Sequence, residues 1–239
     1  VNNKLGLLCK ELRQKSDPIK AKLLKRYFKT GKGEYGEGDI FLGITVPEQR
    51  KISGKYVNLG LKDIEKLLQS KIHEFRFSAL AILCEKYKKS DEQEKKAIVG
   101  FYLKNKEYIN NWDLVDMSAH CILGDYLSGK NREILYKLIR SKNIWDRRIA
   151  ILATFNFIKN NDFKGSIKIA EELLNDKHDL IHKATGWMLR EVGKRNKKTE
   201  EKFLQKHCGK MPRTMLRYAI ELFPANERKK YLANKQTNK

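Results

Sequence analysis

The sequence predicts an all-α chain, a helical-repeat solenoid with a concave basic groove, and three observations lead there. Only four prolines and fifteen glycines interrupt 239 residues, which leaves long segments carrying apolar residues at spacings of three and four. A weak internal repeat sets Arg76 in EFRFSALAIL, Trp112 in NNWDLVDMSA, Arg148 in DRRIAILATF and Lys183 in IHKATGWMLR at intervals of 36, 36 and 35 residues. That period suits one antiparallel helix pair per unit, and stacked pairs make a solenoid with a concave face. The third observation is charge: 51 Lys+Arg against 29 Asp+Glu give +22, far more than solubility requires, so the partner is expected to be a polyanion, nucleic acid first. The length allows a sizeable core, as a single domain over residues 1–239 whose last stretch, about 225–239, reads as a basic tail.

Taken in order, the N-terminus shows no secretory signal and begins at Val1, so an initiator residue or tag is expected to precede it. Tyr27, in LLKRYFK, suits helix packing or contact with DNA. Residues 31–46, GKGEYGEGDIFLGITV, hold five glycines and break the helical pattern, predicting a turn followed by a strand or an extended segment. No Gly-Lys-Ser/Thr follows at the spacing of a Walker loop, which excludes that phosphate site. Thr45 and Glu48 then form a capping-box pair with Pro47 in the first turn of a helix.

In the helix from about Asn111 to Leu127, an advance of ~100° per residue puts Leu114, Val115, Ser118, Cys121 and Ile122 on a core stripe. Trp112 and Asp116 fall roughly 130° from its centre, on a second stripe with Ala119 and Leu123. Aligning Asp116 rather than Trp112 with Arg148 is nearly as good. Either register puts Trp112, Asp116, Arg148, Lys183 and Trp187 on equivalent sides of neighbouring helices. Asn143 caps the next helix, which is apolar nearly all round and should bury Trp145. Between Gly193 and Arg217 lie nine Lys/Arg and only Glu200 and Glu201 as acids, a pattern expected of a phosphate-binding flank.

Two indoles and one carboxylate are the candidate chemistry. Trp112 and Trp187 each have a charged neighbour one turn on (Asp116, Arg190) and small residues nearby (Ala119; Ala184, Gly186) that leave room for an approaching group. Core packing remains the ordinary alternative for both. Asp113 and Asp146 each follow an Asn by three residues and read as helix-capping acids. Asp116 is too far into its helix to cap it. Either it pairs with Arg148 or it acts on a ligand, and the two are compatible because a guanidinium keeps a carboxylate ionised. Cys9, Cys84, Cys121 and Cys208 lie too far apart for a zinc finger or iron–sulfur centre, so reduced thiols in a cytoplasmic protein are expected, with no metal and no cofactor. Neither a long apolar run nor a basic amphipathic end with a bulky apolar face stands out, so no membrane partner is expected.

RYFK, YGEGDIFLGITVPEQR, NNWDLVD, NIWDRR and KATGWMLRE occur in this order, and with them the chain resembles the AlkD-type DNA alkylation repair family from about Lys20 to Pro224. The family's proteins are HEAT-like repeat DNA glycosylases. The resemblance implies an array gripping duplex DNA and removing N3- or N7-alkylated purines. It implies Asp116 as the catalytic carboxylate, Trp112 and Trp187 around the deoxyribose, and Tyr27, Arg148 and Arg190 on DNA; Lys183, on the same repeat face, joins them. One departure is Asn111, where the family's best-known member carries a second consecutive tryptophan.

The chemistry agrees. A cationic alkylpurine leaves as a neutral base, so no acid need protonate it, and the enzyme's task is the oxocarbenium-like sugar. No lysine presents itself as a Schiff-base nucleophile, which predicts a monofunctional enzyme, expected to work as a monomer. Two rivals share the architecture: a DNA-binding module that breaks no bond, and a scaffold for an acidic protein partner.

Overall fold

The structure, a computed structural model, describes residues 4–233. Val1 and the end of the predicted tail, 234–239, lie outside the described residues. Contacts divide the chain after Ser118 into two compact units. Every regular element among the described residues is helical, apart from one isolated parallel bridge between Ile40 and Ile72.

The first unit holds α1 (Lys4–Gln14), α2 (Pro18–Tyr27), α3 (Val46–Gly54), α4 (Leu61–Leu68), α5 (His73–Lys89), α6 (Glu92–Lys104) and the start of α7 (Trp112–Ala119). α5 is its axle: α1, α3, α4 and α6 all pack on it. It is buried on nearly every face, Phe75 to Cys84 without a break, because a helix surrounded by others has no side to leave polar. α2 begins where Asp17 accepts the N–H groups of Ile19 and Lys20 at 3.0 Å, with Pro18 in the first turn. The glycine-rich stretch forms turns and then runs extended beneath that helix start. Gly43 takes φ +87°, and a Cβ there would lie 2.1 Å from the Asp17 carbonyl oxygen, so only glycine allows the crossing. The expected capping box of α3 takes a different form. Thr45 Oγ1 donates to the Glu48 carboxylate at 2.8 Å and caps no backbone N–H, while the Glu48 carboxylate reaches back to the Thr45 backbone N–H.

The second unit holds α8 (Glu133–Ile139), α9 (Ile144–Lys159), α10 (Lys164–Glu172), α11 (Asp179–Arg195), α12 (Lys197–His207), α13 (Arg213–Ala219) and α14 (Ala225–Ala233). α9, α11 and α13 lie side by side, while α8 and α10 pack on α9 and α12 on α11. Arg148 and Lys183 thus mark successive helices of one row, as the 35-residue step between them predicts. Asn143 caps α9 by accepting the Trp145 N–H at 2.9 Å, and Trp145 is buried. Residues 225–233, expected as a tail, form α14 instead, with Tyr231 and Leu232 against the cluster of Phe203, Met215, Ile220 and Phe223.

The stripe expected from Asn111 onward needs correction. α7 passes into a π-helical turn at His120–Gly124, and buried residues then recur every four positions: Leu114/Val115, Ser118/Ala119, Ile122/Leu123. Leu123 is therefore core and Cys121 only half-buried, because a wider turn slows the rotation below 100° per residue, while Ala119, the last residue before that turn, is fully buried as well. Trp112 and Asp116 are half-buried, and Trp112 packs against the buried cluster of Ala21, Phe28 and Phe41.

Candidate functional site

In the first unit the site grows from a buried carboxylate. Glu74, near the start of α5, accepts the N–H groups of Leu42 (3.0 Å), Gly43 (2.8 Å) and Ile44 (3.4 Å) and fixes the extended segment. That segment delivers Phe41 into a cluster of rings: His73, Phe41 and Phe28 form a triangle with centroids 4.6, 5.0 and 4.9 Å apart, and Trp112 stacks on Phe28 at 5.1 Å with planes only 9° apart. Tyr27 sets its edge against Trp112 at 5.8 Å and is itself 64 % exposed. Trp112 is thus stacked, half-buried, on the edge of the small core of Ala21, Phe28 and Phe41, and Asp116 follows it one turn later on the same helix.

The His73 corner of the cluster is charged. His73, 2 % exposed, lies with Nδ1 3.1 Å from Asp39 Oδ2 and Nε2 2.8 Å from Asp113 Oδ2. Arg76 donates to the same Asp39 oxygen at 2.6 Å and to the Ser70 carbonyl at 2.8 Å. Burial disfavours the imidazolium, but Asp113 and Asp39 overcome it and raise the His73 pKa to about 9. Burial likewise opposes the Asp39 charge, and His73 and Arg76 outweigh it and hold its pKa below the usual carboxylate value. Asp113 is therefore no ordinary capping acid. Its Oδ1 accepts the Leu114 N–H at 2.8 Å, Asn111 takes the Trp112 N–H at 2.8 Å, and its second oxygen belongs to His73. Phe28, Phe41, Asp39 and His73 escaped sequence reasoning, because their partners lie up to 84 positions away along the chain.

In the second unit, α11 carries Lys183, Trp187 and Arg190. The half-buried Trp187 donates its indole N–H to Glu191 at 3.2 Å and rests near the Phe155 ring of α9 at 5.9 Å. Glu191 is buried; that raises its pKa, but Lys194 at 2.7 Å and the Trp187 indole bring it below the usual value. Gly186 does not leave room for a ligand. A Cβ there would sit 2.4 Å from the Met215 carbonyl oxygen and 2.6 Å from Tyr218 Cβ, so the gap is filled by α13. Ala119 and Ala184 are likewise fully buried.

The expected DNA contacts are placed unequally. Arg148 is only 5 % exposed and donates Nη1–H to the Leu180 carbonyl at 2.5 Å, tying α9 to the first turn of α11. Lys183 pairs with Asp179 at 2.8 Å, and Arg190 pairs with Glu221. The 193–217 flank is less bare than its local sequence: Lys194 and Arg195 meet Glu191, Lys197 meets Glu201 and Glu227, and Lys206 meets Glu171. Among the described residues, no group of three or more His, Cys, Asp or Glu could hold a metal, and no helix is long and apolar enough to cross a membrane.

A family model described as DNA alkylation repair enzyme matches residues 8–223. A search of curated proteins finds no match. Among solved structures the chain is similar to "Predicted DNA alkylation repair enzyme from Enterococcus faecalis", at TM-score 0.69 and 18 % identity over 88 % of this chain and 98 % of that one. It is similar also to AlkD2 from Streptococcus mutans, at TM-score 0.54 and 18 % identity over 84 % of this chain and 100 % of that one. At such identity the likeness carries the fold, and the all-α helical-repeat architecture is shared.

Proposed function

The chain belongs to the DNA alkylation repair enzyme family, and from that premise we propose that it is a monofunctional DNA glycosylase hydrolysing the N-glycosidic bond of cationic N3- or N7-alkylated purines in duplex DNA. The observation that carries this reading is the pairing of a stacked indole and a half-buried carboxylate, Trp112 and Asp116, one turn apart on a helix whose start is fixed by buried charge.

The alkylated purine is already positive, so the C1′–N bond breaks with its electron pair moving onto the base, which leaves neutral. Positive charge then passes to the sugar. Asp116 steadies that charge and orients a water, whose oxygen bonds to C1′ while its proton goes to the carboxylate and on to solvent. An abasic sugar remains. Trp112 is assigned an indole contact with the same sugar, worth about 2 kcal/mol when the cation is desolvated, and Trp187 is proposed to contact the DNA with its own indole face. Positioned charge of this kind contributes roughly 10²–10⁴ in rate. Tyr27, Lys183 and Arg190 are proposed to hold DNA, and Arg148 to help indirectly through α11. Lys183 and Arg190 must exchange Asp179 and Glu221 for phosphate to do so.

The test is release of 7-methylguanine and 3-methyladenine from alkylated duplex. Release of free base with an abasic site left behind supports the reading. Tight binding to the duplex without release would show a DNA-holding module instead.

A further inference from the structure

We propose that His73, as an imidazolium held between Asp39 and Asp113, is a positioning residue that fixes the start of α7 and thereby aims Trp112 and Asp116. Its catalytic consequence rests on the glycosylase reading. The geometric part does not.

Three connections converge on one helical turn. Asp113 takes His73 Nε2 at 2.8 Å while its other oxygen accepts the Leu114 N–H, so the imidazolium is coupled directly to the backbone that opens α7. The neighbour of Asp113 in sequence, Trp112, stacks on Phe28, which stacks on Phe41, which stacks on His73. His73 also touches Phe28 directly at 4.9 Å, so the same ring grips the helix start twice, once through a carboxylate and once through the aromatic cluster under Trp112. Asp116 lies one turn beyond, so a change in the direction of that first turn moves it with Trp112.

The cluster also balances its charge. Two carboxylates, Asp39 from the extended segment and Asp113 from α7, face His73 and Arg76 from α5, two cations. Of the other charged groups near the ring, Glu74 is occupied by backbone N–H groups and Lys20 of α2 lines the cavity of about 220 Å³ beside it. Loss of the His73 proton leaves one buried negative charge without compensation and exchanges an ionic grip on Asp113 for a neutral hydrogen bond. With the His73 pKa at about 9, the grip is complete at neutral pH and relaxes in alkali.

The test begins without DNA. The indole N–H resonances of Trp112, Trp145 and Trp187, assigned by single substitution, are followed by two-dimensional NMR between about pH 7 and 10, and the ring carbons of His73 are read in the same samples. The proposal expects Trp112 to shift with the His73 midpoint near 9, and in Asp113→Asn, a milder change than replacing His73, to shift at least about one unit lower. A Trp112 resonance that stays flat, or that titrates alike in both proteins, overturns it. The second arm is single-turnover excision. Asp113→Asn should lower the chemical rate by about tenfold or more with DNA affinity within about threefold, and the wild-type rate should fall across the His73 midpoint. An active wild type with an unimpaired Asp113→Asn overturns the positioning role. A wild type that excises nothing defeats the glycosylase reading, and the NMR arm still decides the pinning of α7.

Discussion

Asp113→Asn keeps the shape of the side chain and removes its charge, so its thermodynamic cost isolates the buried ion pair. His73 titrates at 6.5 in an unperturbed chain and at about 9 here. At about 1.4 kcal/mol per pKa unit, that difference is worth about 3 kcal/mol of folding stability. Because the folded pKa is the higher one, this stability is fully present below pH 6.5, declines as pH rises, and is gone above about 9. Asp39 retains part of the shift when Asp113 loses its charge, so the substitution should cost about 1–3 kcal/mol near pH 6.5 and much less at about pH 10. Urea unfolding of both proteins at a series of pH values gives the difference directly, and titrations common to the two proteins cancel. A cost that is the same at both ends of the range would refute the assignment of charge to His73, and the energetics of the α7 anchor with it.

Gly186→Ala should destabilise the protein by about 1–3 kcal/mol in thermal or urea unfolding, since the new methyl would press on the Met215 carbonyl and Tyr218 at 2.4 and 2.6 Å; an unchanged stability would show that α13 yields freely. Glu200 is buried with its pKa pushed up to about 8 from 4.5, by burial first and by Glu201 second, so folding stability falls as pH rises between those values. Glu200→Gln should flatten that decline, and unfolding curves with the wild-type slope between pH 4.5 and about 8 would count against it. Duplex binding should weaken steeply with salt, by on the order of 10³–10⁵ between about 50 and 200 mM if 6–10 phosphates are contacted, and a flat salt response would remove phosphate from the interface.

How much of this was legible in the sequence differs from element to element. The 35-residue step from Arg148 to Lys183 marks successive helices of one row, because a repeat encodes its packing locally, and the Asn143 cap and buried Trp145 were readable for the same reason. Trp112 and Asp116 stood out because a large indole and a carboxylate off the core stripe need a partner. The π-helical turn after Ala119 was invisible, since nothing in HCILG announces a wider turn, and a constant 100° advance then misplaced Cys121 and Leu123. Asp113 looked like a capping acid by its spacing from Asn110. Its true partner, His73, lies 40 residues away and could not be inferred from either position alone. The small residues around Trp187 were misread for a related reason: a glycine that admits a ligand and one that admits a neighbouring helix look alike until the helix is placed.

On the proposed mechanism the Asp116 carboxylate, and not DNA binding as such, drives loss of the base. Single-turnover excision from a duplex with one 7-methylguanine, wild type against Asp116→Asn, measures this alongside the affinity of each for the same DNA. Asp116→Asn should lower the chemical rate by about 10²-fold or more with binding largely retained. Equal excision rates in the two proteins would contradict it.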